Sequence, residues 1–159
     1  MIDPNNFTST EERHTTEWRS IEPYQNSFGK FDIHFSECDG NRNLSVETIR
    51  YLSDFVEHLE TYLEDLIDII FLQYSSIDDY YFNERIEIPA DMEGGPTSIP
   101  LAGVEKGLKR SDMSSVISQP HLYFQKEQNE YQGYVIMEVP WDKSHGLTLC
   151  PTELGWEIN

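Results

Sequence analysis

"IRYLSDFVEHLETYLEDLIDII", residues 49–70, decides the fold. Ile49, Leu52, Val56, Leu59, Leu63, Leu66 and Ile70 recur at alternating steps of three and four. At about 100° per residue they share one half of a helical wheel with Tyr51, Phe55, Tyr62, Ile67 and Ile69. Arg50, Ser53, Asp54, Glu57, His58, Glu60, Thr61, Glu64, Asp65 and Asp68 fill the other half. The pattern predicts one amphipathic helix of about thirty residues, roughly 45 Å long, or one kinked near its end. Ser45 is placed to cap it, with Glu47 in the first turn against the helix dipole. Phe71 and Leu72 fall on the polar side, so a bend or fuller burial is expected after Ile70. The heptad step suggests a coiled coil, but an apolar sector spanning half the circumference suits a helix lying on a sheet better than a narrow dimer seam.

Upstream, "KFDIHFSE" alternates, with Phe31, Ile33 and Phe35 to one side and Asp32, His34 and Ser36 to the other. That is the pattern of a half-buried strand. "CDGN" reads as the following turn, with Gly40 free to take positive φ. Residues 1–27 are polar, and read as a partly mobile leader with Trp18 and Ile21 tacked onto the domain. Downstream, "ERIEIP" is a short strand with Ile86 and Ile88 inward, and "ADMEGGPTSIP" a loop broken by Gly94, Gly95 and Pro96. "SDMSSVI" forms a helical turn capped by Ser111. "PHLYFQ", "YQGYVIMEV", "GLTLC" and "GWEIN" then form a meander, because consecutive strands with short polar loops pair antiparallel. Residues 28–159 are therefore expected to be a single α+β domain: an antiparallel sheet covered on one face by the long helix.

Charge narrows the function. Eleven basic residues against 29 acidic ones give a formal charge of −18 in 159 residues. Between Asp54 and Glu93 there are twelve carboxylates and one arginine. Phosphate backbones and anionic lipid surfaces would be repelled, so nucleic-acid and membrane binding are disfavoured. A basic protein partner, or a cation, is the natural complement, and solubility the plainer account of the same charge. No apolar run reaches the length of a membrane span, and the N-terminus lacks the basic start and apolar core of a secretory signal. Cys38 and Cys150 have neither zinc nor disulfide-framework spacing, which points to reduced thiols and a cytoplasmic protein.

"WDKSHG", residues 141–146, is the sharpest motif. Asp142 could hold the His145 imidazole in one tautomer, as a base-orienting pair does, but no nucleophile signature accompanies them. The structural alternative has Asp142 accept backbone N–H groups in an Asx-turn while Gly146 supplies unusual backbone angles. His14, His34, His58, His121 and His145 form no metal-binding spacing, and no calcium loop or phosphate loop is present. No metal or cofactor is expected. Asp78 and Asp79, before Tyr80 and Tyr81, read as a solvated helix end. "KGLKR", residues 106–110, is the one basic knot and reads as a balance for nearby acids.

The strand–helix–strand order, ending in Trp141, Asp142, His145 and Gly146, resembles a group of uncharacterised small bacterial proteins with a terminal strand–WDxxHG–strand. The resemblance spans about residues 28–158. Some of those proteins lie beside toxin genes in the position of immunity proteins. Relatives usually carry acids between the Asp and the His, where this chain has Lys143 and Ser144.

Three readings follow. The first is a non-enzymatic acidic binding protein, of the kind an immunity protein would be. It would cover a basic toxin or effector with Asp54, Glu57, Glu60, Glu64 and Asp68, whose mutual repulsion a partner would relieve. The second is a hydrolase-like enzyme using Asp142 and His145. The third is a structural or homo-oligomerisation module whose aromatic strands form a homodimer.

Overall fold

A computed structural model describes residues 2–12, 15–26, 29–37, 44–93, 95–127 and 130–159. The chain is mixed α+β, with one large, mostly antiparallel sheet and a few helices. The strands are β1 (Phe7–Glu12), β2 (Thr15–Ser20), β3 (Tyr24–Asn26), β4 (Gly29–Glu37), β5 (Arg85–Ile88), β6 (Thr97–Pro100), β7 (Ser118–Glu127), β8 (Glu130–Val139), β9 (Asp142–Thr152) and β10 (Gly155–Ile158). The helices are α1 (Val46–Thr61), α2 (Leu63–Ser75), α3 (Asp79–Asn83) and α4 (Met113–Val116). The large sheet runs β1-β2-β4-β7-β8-β9-β10, with β3 also on β4. The C-terminal strands form the antiparallel meander that the sequence predicts. The exception to antiparallel pairing is β4 beside β7, from Asp32↔His121 to Glu37↔Lys126. The helices and the β5–β6 ribbon lie in sequence between those two parallel strands.

The N-terminal segment differs from the leader expected over residues 1–27. β1 and β2 pair from Phe7↔Ser20 to Glu12↔Thr15, and β2 pairs with β4 from Thr16↔Glu37 to Arg19↔His34. Trp18 and Phe7 are buried, and Thr16 is almost fully so. β-Branched Thr8, Thr10, Thr15 and Thr16 suit a pleated surface, which offsets the low apolar content of these strands. Ile21, expected to tack onto the domain, is instead exposed.

The expected single helix is two, meeting at Tyr62, where φ is −111° and ψ 29°. Ser45 caps α1, its Oγ accepting from the Thr48 N–H at 3.0 Å. At the junction the Tyr62 carbonyl accepts from the Leu66 N–H at 3.1 Å and also from the Trp156 indole Nε1–H at 3.2 Å. The Tyr62 carbonyl thus serves two donors at the junction. His58 and Asp65, both on the polar half of the wheel, serve the same joint. His58 Nε2 lies 3.0 Å from the Gly155 carbonyl, and Asp65 Oδ2 accepts from the Trp156 N–H at 2.8 Å. β10 is thereby fastened to both helices.

The core is organised around Phe124. Phe55 meets its ring edge-on at 4.7 Å and Tyr51 at 5.9 Å. Gly133 on β8 makes this approach possible, since a Cβ there would sit 2.6 Å from Phe55 and 2.8 Å from Phe124. Ile33, Phe35, Leu122, Val135, Met137 and Leu149 are among the strand residues of this core, and Leu52, Leu59, Leu66 and Ile70 among the helical ones.

Three smaller expectations are corrected. Ile86 and Ile88 do not point inward, because β5 pairs only with β6 in a separate two-stranded ribbon. The loop expected over residues 90–100 contains β6. The turn at 110–116 is not capped by Ser111. The Asp112 carboxylate accepts from the Lys109 N–H at 2.8 Å, and Asp112 is the N-cap of α4. The turn expected at 38–41, with Cys38 and Gly40, and also His14, lie outside the described residues.

Candidate functional site

The five acids expected to meet a partner, Asp54, Glu57, Glu60, Glu64 and Asp68, are all exposed. They are not equally free. Arg110 Nη2 donates to Glu64 Oε2 at 2.6 Å and to the Glu64 carbonyl at 3.0 Å, while its Nε donates to Asp68. These bonds, to Asp68 first and Glu64 second, raise the pKa of the guanidinium further. Arg50 lies 3.9 Å from Asp54, one turn away. Among the described residues no basic side chain pairs with Glu57 or Glu60. "KGLKR" acts as a brace, since Lys106 Nζ also meets Asp79 at 2.7 Å. Asp78 caps α3, accepting from the Tyr80 N–H at 2.8 Å.

"WDKSHG" sits at the β8–β9 hairpin. Val139 pairs with Asp142 across Pro140 and Trp141, and Met137 then pairs with Leu147, so extra residues bulge from β9. Asp142 Oδ1 closes the bulge, accepting from the His145 backbone N–H at 3.1 Å and lying 3.1 Å from His145 Nδ1. Gly146 has φ +67°, and a Cβ there would meet the Met137 carbonyl at 2.6 Å. The Trp141 ring packs towards Tyr74 at 5.7 Å. The His145 side chain is 83% exposed and contacts no second described polar side chain, so Asp142 and His145 are brought together without a nucleophile beside them.

Two features escape the sequence reading. The first is an open hollow of about 580 Å³ lined by Arg19, Ser20, Asp32, His34, Pro120 and His121. Here burial lowers the His34 pKa, and Arg19 lowers it further. Glu17 opposes them from 3.4 Å, and His121 adds a smaller lowering. His34 Nε2 is within ion-pair range of Glu17 but not aligned for a hydrogen bond. The outward position of Asp32 and His34 in the β4 alternation is the signal that could have located this hollow. The second feature is the ribbon. Ile86 faces Ile99 across it, and neither they nor Ile88 belong to the core or pack against it. Strand alternation marks which residues share a side but not what that side faces.

Among the described residues no group of three or more His, Cys, Asp or Glu is placed to hold a metal ion. None of the described helices is long and apolar enough to cross a membrane. Cys150 is half-buried, and burial, then Glu157, push its thiol pKa up. Comparison with family models, curated proteins and solved structures gave no match.

Proposed function

We propose that this chain is a non-enzymatic cytoplasmic protein that binds a basic protein partner through its acidic helical side, in the manner of an immunity protein covering a toxin or effector. The observation that carries this reading is Glu57 and Glu60, exposed and without a basic partner among the described residues, beside Glu64 and Asp68. A partner's Lys or Arg side chains would relieve their repulsion, and complementary charge would speed encounter. In the same reading α1 and α2 act as one rod over a face of the sheet, with the carboxylates outward. The contacts of Phe55 and Tyr51 with Phe124 support that arrangement.

The test measures oligolysine binding at low and high salt, with Glu57→Lys/Glu60→Lys set against an equal charge change at exposed Glu127 and Glu130 on the β7–β8 hairpin. Binding lost at high salt, and weakened far more by the helix pair than by the hairpin pair, is the expected result. No binding, salt-independent binding, or equal loss in both variants overturns the reading.

A further inference from the structure

We propose that the β5–β6 ribbon together with α3 is a docking surface for a basic segment of a partner protein whose lysines or arginines are interspersed with aliphatic side chains. This rests on the reading that the partner is basic, and adds the surface and the apolar component it recognises.

The described residues expose ten large hydrophobic side chains, and six of them fall within residues 72–101: Leu72, Tyr80, Tyr81, Ile86, Met92 and Leu101. Tyr80 and Tyr81 are in ring contact at 5.5 Å. The Ala102 N–H donates to the Tyr81 carbonyl at 2.8 Å, and the Leu101 N–H to the Glu84 carbonyl at 2.7 Å, which seats α3 against the ribbon. Ile86 and Ile88 alternate with Arg85 and Glu87, so the ribbon has one apolar side, shared with Ile99 across the pair. None of the three isoleucines reaches the core. Ile86 is exposed and Ile88 and Ile99 partly so, and a two-stranded ribbon is marginal in water by itself, so apolar side chains placed here outside the core need an account.

Charge identifies the occupant. Asp78, Asp79, Glu84, Glu87, Asp91 and Glu93 lie in the same stretch and are exposed, and of these Asp79 is paired with Lys106. The one basic residue of this stretch, Arg85, is tied to Ser98 and Glu105. Six acids against one arginine give residues 72–101 a formal charge of −5. A second copy would bring the same acids against themselves, and an anionic lipid surface would be repelled. A basic segment satisfies the rim while its aliphatic side chains cover the isoleucines, the usual division between interface core and rim. The surface also continues the acidic row, because Glu64, Asp68 and Leu72 follow one another at helical spacing on α2.

The test uses two peptides of equal length and charge, one alternating Lys with Leu and one alternating Lys with Ser. The intact chain is expected to bind the Lys–Leu peptide about ten-fold more tightly, the scale of one good apolar anchor. Ile86→Ser/Ile99→Ser is expected to reduce that binding to the Lys–Ser level and to leave salt-dependent Lys–Ser binding unchanged. Tyr80→Ser/Met92→Ser, at two well-exposed positions, is expected to act in the same direction and guards against a ribbon that fails to form. Equal binding of both peptides, or a Lys–Leu preference that survives both variants, overturns the surface while leaving the basic-partner reading standing. Failure of both peptides at low salt overturns that reading as well. A dimer in sedimentation that the isoleucine variant dissociates assigns the surface to self-association, and also overturns the proposal.

Discussion

Lys126 Nζ lies 2.7 Å from Glu37 Oε1, across the parallel pair β4–β7, and both side chains are buried. Lys126 also stands 5.5 Å over the Tyr131 ring. The other Glu37 oxygen has no hydrogen-bond partner among the described residues, nor does Thr16 Oγ1 on the neighbouring strand. Lys126→Met leaves a buried carboxylate uncompensated and is expected to cost about 3–5 kcal/mol in urea unfolding. Glu37→Met/Lys126→Met removes both charges and is expected to recover most of that loss. A double variant no better than the single one would show that the pair does more than neutralise itself.

Arg110 shields two of the acids assigned to partner binding. Arg110→Ala frees Glu64 and Asp68, which the guanidinium bridges on the surface. Exposed pairs of this kind contribute little, so unfolding stability is expected to be nearly unchanged. Oligolysine affinity at low salt is expected to rise. An unchanged or weaker affinity would place the binding surface elsewhere.

Gly146→Ala forces a side chain into the left-handed region and against the Met137 carbonyl, and is expected to cost more than about 1 kcal/mol. Asp142→Ala removes the acceptor for the His145 N–H, and is expected to lower stability by about 1 kcal/mol as other lost turn caps do. His145→Ala, at an exposed ring, is expected to be nearly silent in thermal unfolding. A large loss in that last variant would assign the imidazole a structural part that its exposure does not suggest.

Two groups set opposite pH limits. The His34 pKa is lowered below 6.5 in the folded chain, chiefly by burial. As pH falls through about 6.5 the unfolded chain takes up the proton first, so stability is lost towards acid. His34→Gln is expected to flatten that decline. Burial pushes Tyr51 up from 10.0 to about 12. Between those values the unfolded chain loses its proton first, so stability falls as pH rises, and Tyr51→Phe is expected to remove that part of the decline. Denaturant unfolding across both ranges checks each slope.

The helical division over residues 49–70 and the C-terminal meander were legible because each is periodic over many residues. The break at Tyr62 was not, because apolar spacing continues through it and the Trp156 indole that bonds its carbonyl lies far along the chain. Residues 7–20 look like a polar leader by hydropathy, yet their threonines fit a sheet in which only alternate side chains need burial. At the candidate site the acids were legible as a row. The basic knot at 106–110 was legible as a balance for nearby acids, but not that Arg110 bridges Glu64 and Asp68, because that depends on a contact between distant residues.

The parallel pairing of β4 with β7 also bears on synthesis. β1, β2 and β4 are complete once Glu37 has been made, but β7 begins only at Ser118. A nascent chain leaving the ribosome therefore carries the β7-facing edge of β4 open through the translation of everything in between. That interval is the period in which a holdase, or an unwanted strand from another chain, has its best opportunity to engage it.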